Sequence, residues 1–454
     1  MIKKWVCVLI GTALVSASCS DAKLENGKEG LETVDPANNV SALVSVYADK
    51  NDLEASPLAG DVLVKGSRTL MLNVPAACEK VYMKYNTVSG TQAVKEFAVS
   101  PVSRSVGAQD FDYQTSRLAS VTLTLPEDAV QPTSETDCGY LFYHNTGVAM
   151  FEDGWPTQPN SWYDEDFNDV VFEYDLKVTE CQSEEQMAIQ GSKEELLLTL
   201  DVRAVGGTYP TKLGVVLEGL DSKFVDQISA SIILKGGQGM METLDEKLLS
   251  KDAKVEVKKD SWNWSSDPAG TKSRFAILTV DKTPVEGTVI TLDGLNSLRD
   301  NNSDMFQVTP GKIREGLPML RAEVRLIGKS DLKGTDRAAQ LEAFRELILD
   351  TKRQNFFIIT NQQIEIHMKG YAPTSAFRAK YDELVAKDNA LDTAYSNANG
   401  YTWGVKVPVG TQHAYEGMPF KEAYPKFMEW VDTKGARNKD WYEDFDPEKT
   451  IRYW

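Results

Sequence analysis

The sequence predicts a mainly β protein of α+β character, built from antiparallel β-sandwich modules with a few helices near the C-terminus. The first observation behind this prediction is a long series of short runs in which apolar and polar residues alternate between Gly, Pro, Asn and Asp turns. Such runs are typical of antiparallel strands. The second is that helical periodicity begins only at Thr335. Two stacked sandwiches would accommodate this many short strands.

The strand pattern divides into three regions. An N-terminal β module is predicted for residues 41–107, with strands at 43–47, 62–64, 70–74 and 81–85. A second β region covers residues 108–190, with strands at 120–125, 140–144 and 170–176. Residues 191–454 are predicted to form a C-terminal β-rich domain, in which LLLTLDVRAV, LGVVLEG, ISASIILKG and FAILTV are strands.

Three helices are predicted late in the chain. In the segment that begins at Thr335, the apolar residues Leu341, Phe344, Leu347 and Ile348 fall on one face, as expected for a helix packed on a core. Further helices are predicted at 377–386 and at 419–431.

The N-terminus predicts export. Lys3 and Lys4 precede an apolar run of about eleven residues, which is typical of a secretory signal and too short to span a bilayer. Small residues before Cys19 resemble a bacterial lipobox, so residues 1–18 are predicted to be a lipoprotein signal peptide and Cys19 the lipidation site. An ordinary signal peptide with an incidental Cys19 is the alternative. Polar residues 19–40 predict a flexible tether.

The charge limits the partners. Removal of the two signal lysines leaves 47 basic residues against 67 acidic ones and changes the formal charge from −18 to −20. This balance argues against nucleic acid and anionic membrane surfaces and leaves cations, glycans or proteins as partners. The predicted location is the outer membrane, periplasmic or surface-exposed, with the lipid as the only membrane attachment. Cys78, Cys138 and Cys181 allow one disulfide, whose pairing stays open.

The densest group of chemically useful side chains lies between Phe151 and Asp175. Asp164, Asp166 and Asn168 alternate along the chain, and Asp169 follows directly. Alternate residues of a loop that curls around a cation point their oxygens inward, and hard oxygen ligands of this kind favour calcium. The candidate metal ligands are therefore Asp164, Asp166, Asn168 and Asp169, with help from Glu152 or Asp153.

Other interpretations remain open. The acidic block could be a polar turn in which Asp and Asn side chains accept backbone hydrogen bonds. Loop tryptophans could bind glycans or could pin loops to the core; these are Trp155, Trp162, Trp262 and Trp264. The segment 299–304, RDNNSD, predicts a plain turn, and the chain has no hydrolase, metalloprotease or phosphate-binding motif.

Three sequence blocks resemble the LruC-domain family of exported bacterial proteins. They are FEDGWPTQPNSWYDEDFNDVVFEYDL, LDVRAVGGTYPTKLGVVLEGL, and a C-terminal block with IEIHMKGYAPT, YTWGVKVP and AYPKFMEWVDTKGARNKDWY. The resemblance places an LruC-like region at residues 108–442. It implies an exported β-rich domain with calcium suspected at the acidic block. This chain departs from the family in its longer segment TQPNSWY, where the family has a shorter, glycine-containing link.

These observations favour a lipid-anchored envelope or cell-surface β-sandwich protein that acts as a binding or structural module, with calcium as a stabilising cofactor. No enzymatic activity is predicted. Two alternatives stay open. One is a secreted carbohydrate-active enzyme or glycan-binding protein, and the other is a subunit of a surface adhesive assembly.

Overall fold

The structure is a computed structural model that describes residues 40–47, 50, 59–65, 69–75, 80–99, 118–129, 131–132, 140–157, 164–181, 194–235, 242–262, 274–299, 306–309, 319–388, 391–392, 395–397, 401–408, 410–433, 437–438 and 440–451. The predicted signal peptide, Cys19 and most of the predicted tether lie outside the described residues, as do Cys78, Cys138, Trp162 and Trp264.

The first half of the described chain is almost entirely strand. The strands are β1 (Val40–Tyr47), β2 (Ala59–Lys65), β3 (Thr69–Pro75), β4 (Lys80–Asn86), β5 (Gln92–Ala98), β6 (Leu118–Thr124), β7 (Gln131–Pro132), β8 (Tyr140–Phe151), β9 (Val170–Cys181), β10 (Glu195–Ala204), β11 (Pro210–Glu218) and β12 (Val225–Lys235).

The second half adds strands and short helices. Its strands are β13 (Glu242–Ser250), β14 (Lys254–Trp262), β15 (Arg274–Asp281), β16 (Gly287–Asp293), β17 (Met319–Gly328), β18 (Gln354–Thr360), β19 (Glu365–His367), β20 (Leu391–Asp392), β21 (Ser396–Asn397), β22 (Gly404–Val407), β23 (His413–Ala414) and β24 (Thr450–Ile451). The α-helices are α1 (Gly334–Leu349), α2 (Arg378–Lys387), α3 (Phe420–Ala423) and α4 (Phe427–Asp432). Single 3₁₀ turns are Glu127–Ala129, Ser222–Phe224, Leu295–Ser297, Thr351–Arg353 and Trp441–Glu443.

Two antiparallel sheets form the larger part of the molecule. One has seven strands in the order β13-β12-β17-β10-β9-β8-β22, and the other has six in the order β14-β15-β16-β11-β18-β19. Alternate residues Leu196, Leu198 and Leu200 of β10 are fully buried, as a strand with one face on a core requires. Phe172 of the first sheet meets Phe356 of the second edge to face, with ring centroids 5.6 Å apart. The sheets therefore pack face to face, which confirms the predicted mainly β, sandwich-like fold.

A second core belongs to the N-terminal strands. Strands β2, β1, β4 and β5 form one sheet with β7 paired to β1, and β3 pairs with β6. Val44, Val81 and Leu123 are among the residues buried in this core. The strands β6 and β7 of the second predicted region thus pair with the N-terminal strands, whereas β8 and β9 belong to the seven-stranded sheet.

The structure contains the three helical regions that periodicity predicted, but one of them consists of two helices. In α1 the apolar residues Phe344, Leu347 and Ile348 are buried, as expected. The single helix predicted for 419–431 is instead α3 followed by α4. Pro425 lies between them, and proline lacks the N–H that a continuous helix needs there. No helix among the described residues is long and apolar enough to cross a membrane.

Candidate metal centre

The acidic block is the connection between two neighbouring strands. Strand β8 ends at Phe151 and β9 begins at Val170, and these two residues are paired in register. The connection therefore leaves and re-enters the sheet at one place. Glu152 and Asp153 follow β8 directly, and the residues from Asp164 to Asp169 lead into β9.

Three carboxylates converge at this end of the sheet. One oxygen from each of Asp164, Asp166 and Glu416 lies within 4.8 Å of the others. Asp166 is buried, Glu416 is partly buried and Asp164 is exposed, so the cluster is open on one side. Asp166 also accepts a hydrogen bond from the backbone N–H of Gly417, at 2.8 Å.

Asn168 completes the alternating pattern that the sequence predicted. Its side chain is fully buried, and its Nδ2 donates to the carbonyl of Ala414 at 3.2 Å. Its Oδ1 and the Oε2 of Glu416 are buried oxygens that accept no hydrogen bond within the described part of the chain. Buried polar atoms almost always have a partner, so these two oxygens point to a ligand.

Both of these oxygens face the same glycine. A Cβ atom on Gly206 would lie 2.0 Å from Asn168 Oδ1 and 2.8 Å from Glu416 Oε2. The neighbouring Gly207 is equally crowded, since its Cβ would lie 2.6 Å from Asp153 Oδ2 and 2.7 Å from Asp169 Oδ1. The glycine pair after β10 therefore lets the backbone approach four side chains of the acidic block.

Asp153 and Asp169 hold the loop together. The N–H of Asp153 donates to Asp169 Oδ2 at 2.6 Å, and the N–H of Tyr209 donates to Asp153 Oδ2 at 3.0 Å. The carbonyl of Asp169 also accepts from the N–H of Gly207, at 3.1 Å. These bonds connect the start of the block, its end and the Gly206–Gly207 turn.

Glu152 also holds the acidic loop in place through hydrogen bonds. Its carboxylate accepts a hydrogen bond from the backbone N–H of Phe167, and its own N–H donates to the carbonyl of Trp403 at 2.9 Å. Glu165 and Phe167 have φ angles of 53° and 54°, in the left-handed region that residues other than glycine seldom adopt. The loop therefore needs such contacts to keep its shape.

One buried cation accompanies the carboxylates. Arg299 is 8% exposed and donates from Nη2 to the carbonyl of Thr208 at 3.1 Å. Burial lowers the pKa of its guanidinium, while the charges of Asp153, Asp169 and Glu416 raise it. The plain turn predicted at 299–304 thus begins with a residue that faces the acidic centre.

The carboxylates are difficult to ionise together. Burial raises the pKa of Glu416 to about 7, and the charges of Asp164 and Asp153 act in the same direction. Burial likewise raises the pKa of Asp153 to about 6. For Asp166, burial and the charges of Glu152 and Asp164 hold the pKa well above its ordinary value.

The centre contains all six predicted residues but in two roles. Asp164 and Asp166 form the cluster with Glu416, and Asn168 faces the same glycine as Glu416. The other three, Glu152, Asp153 and Asp169, accept backbone hydrogen bonds around it. Sequence reasoning did not find Glu416 or Arg299, because nothing in their local sequence distinguishes them from other charged residues.

Two of the four tryptophans proposed as glycan contacts lie among the described residues. Trp155 is 2% exposed and Trp262 is 6% exposed. Trp155 stacks on Tyr381 with ring centroids 5.6 Å apart. These two tryptophans therefore belong to the core, as the alternative interpretation expected.

Fold and site define a β-sandwich protein with an acidic oxygen-rich centre between two strands of one sheet. A family described as "Domain of unknown function (DUF4842)" matches residues 194–442, and the chain belongs to this family. No curated protein matches the chain. The comparisons do not show the LruC-domain family that the sequence blocks resemble, so that resemblance stays a prediction.

One solved structure is similar along nearly the whole chain. It is a crystal structure described as that of a "putative lipoprotein" from Bacteroides ovatus, 69% identical in sequence. The match covers 91% of this chain and 99% of the other, with a TM-score of 0.81.

Proposed function

We propose that this protein is a lipid-anchored module of the bacterial envelope whose β-sandwich binds calcium and is stabilised by it. The proposed ligands are Asp164, Asp166, Asn168 and Glu416. Glu152, Asp153 and Asp169 are proposed to shape the loop rather than to contact the ion. The role is binding or structural, and no catalytic role is assigned.

The single observation that carries the proposal is the position of Asn168 Oδ1. It is buried, accepts no hydrogen bond from the described residues, and faces the same point as Glu416 Oε2. A buried acceptor left without a donor costs about 1–3 kcal/mol. A cation between these oxygens and the carboxylates of Asp164 and Asp166 would remove that cost.

The charges support a divalent cation. Five carboxylates around the centre have raised pKa values because burial and mutual repulsion disfavour their ionised forms. A bound cation reverses both effects, since it replaces the lost hydration and attracts every carboxylate.

The choice of calcium follows from the ligand atoms. All four proposed ligands offer oxygen, which hard cations prefer. The cluster is open beside Asp164, so water can complete the six to eight ligands that calcium takes. Magnesium prefers a stricter octahedron with shorter bonds, which makes it the natural comparison ion.

The anchor is proposed on separate grounds. The lipobox-like residues before Cys19 and the description of the Bacteroides ovatus relative support a lipoprotein of the envelope. We propose the outer membrane as its location. A Cys19→Ala chain should fail to incorporate labelled fatty acid and should leave the membrane fraction, whereas retention of label would contradict the assignment.

Thermal unfolding of the chain from Asp21 onward tests calcium binding. With free calcium about a hundredfold above Kd, mass action adds about 2.7 kcal/mol of stability, which for a cooperative unit of about 300 residues corresponds to a rise in Tm of roughly 3–5 °C. The double variant Asp166→Asn, Glu416→Gln should lose this rise. An identical Tm in chelator and in about 10 mM calcium, which exceeds the affinity range of extracellular calcium modules by tenfold or more, would refute calcium binding.

Two exposed acidic residues near Glu416 in the sequence provide a control for the double variant. Glu422 and Asp444 are exposed and lie outside the acidic centre. The double variant Glu422→Gln, Asp444→Asn changes the net charge by the same amount and should retain the full calcium-dependent rise.

Assembly at a surface is a second candidate function, and strand β13 favours it. This strand is an edge of the seven-stranded sheet, and Leu248 and Leu249 are 37% and 61% exposed. An exposed edge strand can pair with another chain. Light scattering should show concentration-dependent oligomers that Leu249→Lys abolishes; a monomer at all concentrations would exclude this candidate.

A further inference from the structure

The C-terminal residues from His413 to Ile451 contain a unit that we name the C-terminal cap. Its two ends meet, because β23 pairs with β24 through His413 opposite Ile451 and Ala414 opposite Thr450. Its interior is an aromatic cluster of Phe420, Tyr424, Phe427, Trp430 and Trp441, all buried. The described ends of the cap thus meet, and its aromatic cluster is continuous with the buried core of the two large sheets.

The acidic loop contacts the cap through its backbone and polar side chains. Asn168 Nδ2 donates to the carbonyl of Ala414 at 3.2 Å, and Asp166 Oδ2 accepts from the N–H of Gly417 at 2.8 Å. The N–H of Phe420 donates to the carbonyl of Glu165 at 2.8 Å. Two of the proposed calcium ligands are therefore also the residues that hold the cap.

Phe167 adds an apolar contact at the same junction. Its side chain is fully buried, and its ring centroid lies 5.0 Å from that of Phe420 and 5.6 Å from that of Phe427. Because Phe167 lies between Asp166 and Asn168, its ring can enter the cap only while the loop keeps its present conformation.

The proposed ligands lie on both sides of this junction. Asp164 and Asp166 belong to the loop, whereas Glu416 belongs to the cap, and their oxygens lie within 4.8 Å of one another. Without a cation, ionised carboxylates at this separation repel across the junction. With a divalent cation bound, the same carboxylates attract it from both sides and hold the two parts together.

We propose that the bound calcium ion docks the C-terminal cap onto the β-sandwich, so that the cap is closed in calcium and loosened without it. This inference rests on the proposed calcium site and assigns a regulatory consequence to it. Extracellular calcium modules bind in the range of about 0.1–1 mM. A site of that affinity would close the cap when the exported chain reaches a calcium-rich surrounding.

Hydrogen exchange followed by mass spectrometry tests the docking, with calcium binding measured in parallel by calorimetry on the same chain from Asp21 onward. In chelator, amides of 413–433 should exchange at least about tenfold faster than in about 10 mM calcium, a concentration ten or more times above that affinity range. Amides of β4 and β5, which belong to the separate N-terminal core, should exchange equally in both. Calcium binding with unchanged exchange of the cap would refute docking but leave the calcium site intact, whereas no binding would refute both.

The variant Glu416→Gln separates docking from a merely structural role. It removes the carboxylate that repels the loop, so the cap should be protected in chelator and should no longer respond to calcium. The exposed cap residue Glu422 provides the control, because Glu422→Gln should behave as the unchanged chain. Faster exchange of the Glu416→Gln cap in both conditions would show that Glu416 only supports the fold, and would overturn the inference.

Discussion

The buried oxygens Asn168 Oδ1 and Glu416 Oε2 lie 2.0 Å and 2.8 Å from the position that a Cβ atom on Gly206 would take. One residue precedes strand β9 and the other follows strand β23, so the site exists only when distant parts of the chain have folded together. Neither oxygen accepts a hydrogen bond within the described residues. This pair, with Asp164 and Asp166, defines where an ion would lie.

A side chain at Gly206 should remove ion binding. The new Cβ of Gly206→Ala would lie 2.0 Å from Asn168 Oδ1, which forces that oxygen and Glu416 Oε2 to move. We expect the calcium-dependent rise in Tm to disappear, as measured by differential scanning calorimetry in calcium and in chelator.

Gly214→Ala is the matched control for that experiment. Its Cβ would lie 2.5 Å from Phe357 Cζ and 2.9 Å from the carbonyl oxygen of Ile290, in strand β11 away from the acidic centre. Overpacking in this variant should lower the free energy of unfolding by about 1–3 kcal/mol, and with it Tm, but should leave the calcium response intact. Equal loss of response in both variants would indicate a general effect on folding.

Arg299 should have opposite effects on the metal-free and the calcium-bound protein. In Arg299→Gln the hydrogen bond to Thr208 and the buried positive charge that interacts with Asp153 and Glu416 are lost. The metal-free chain should lose about 1.5–3 kcal/mol, while calcium should bind more tightly because no cation opposes it. Calorimetric titration measures the affinity, and weaker binding would show that Arg299 is needed to shape the site.

The strands could be predicted because their signal is local. Leu196, Leu198 and Leu200 alternate with polar residues in the sequence and are buried in β10, and the spacing of Asp164, Asp166 and Asn168 likewise lies within five residues. Pairing is not local. Nothing near Phe151 indicates that Gly404 pairs with it, and nothing near Glu416 indicates the acidic loop. One glutamate among 67 acidic residues carries no signal until the fold is known.

The buried Glu365 should stabilise the protein independently of calcium. It accepts hydrogen bonds from the N–H and hydroxyl of Thr374, at 3.0 and 2.6 Å, and lies 3.0 Å from His367 Nε2. Burial raises the pKa of Glu365, but its bonds to His367 and Thr374 outweigh burial and lower it. Glu365 therefore contributes stability above pH 4.5 that is lost as pH falls through the lowered value.

Replacement of Glu365 by Gln should accordingly cost about 1.5–3 kcal/mol at pH 7, measured by urea unfolding, with the calcium-dependent increment unchanged. Thr374→Val removes one of the hydrogen bonds and should cost about 1 kcal/mol. If Glu365→Gln lost the calcium-dependent increase in the free energy of unfolding, Glu365 and the acidic centre would not be independent.

The metal-free protein should lose stability as pH rises from 6.5 to 8. The folded pKa of Glu416, about 7, lies above its ordinary 4.5, so the folded chain binds more protons than the unfolded chain between those values and stability falls as pH rises. The buried histidines His413 and His367, whose pKa values burial lowers, act in the opposite sense, because histidines of the unfolded chain lose their protons around pH 6.5. The expected fall is therefore the excess of the five carboxylates with raised pKa values over these two histidines.

Two comparisons test this origin of the pH dependence. Calcium at saturating concentration should flatten the fall in Tm between pH 6.5 and 8, because the ion stabilises the ionised carboxylates and releases their protons on binding. Glu416→Gln should reduce the fall in chelator, since that group no longer titrates. If the Tm of Glu416→Gln in chelator falls as steeply as that of the unchanged chain, Glu416 ionises without cost, and the repulsion assigned to the acidic centre has no basis.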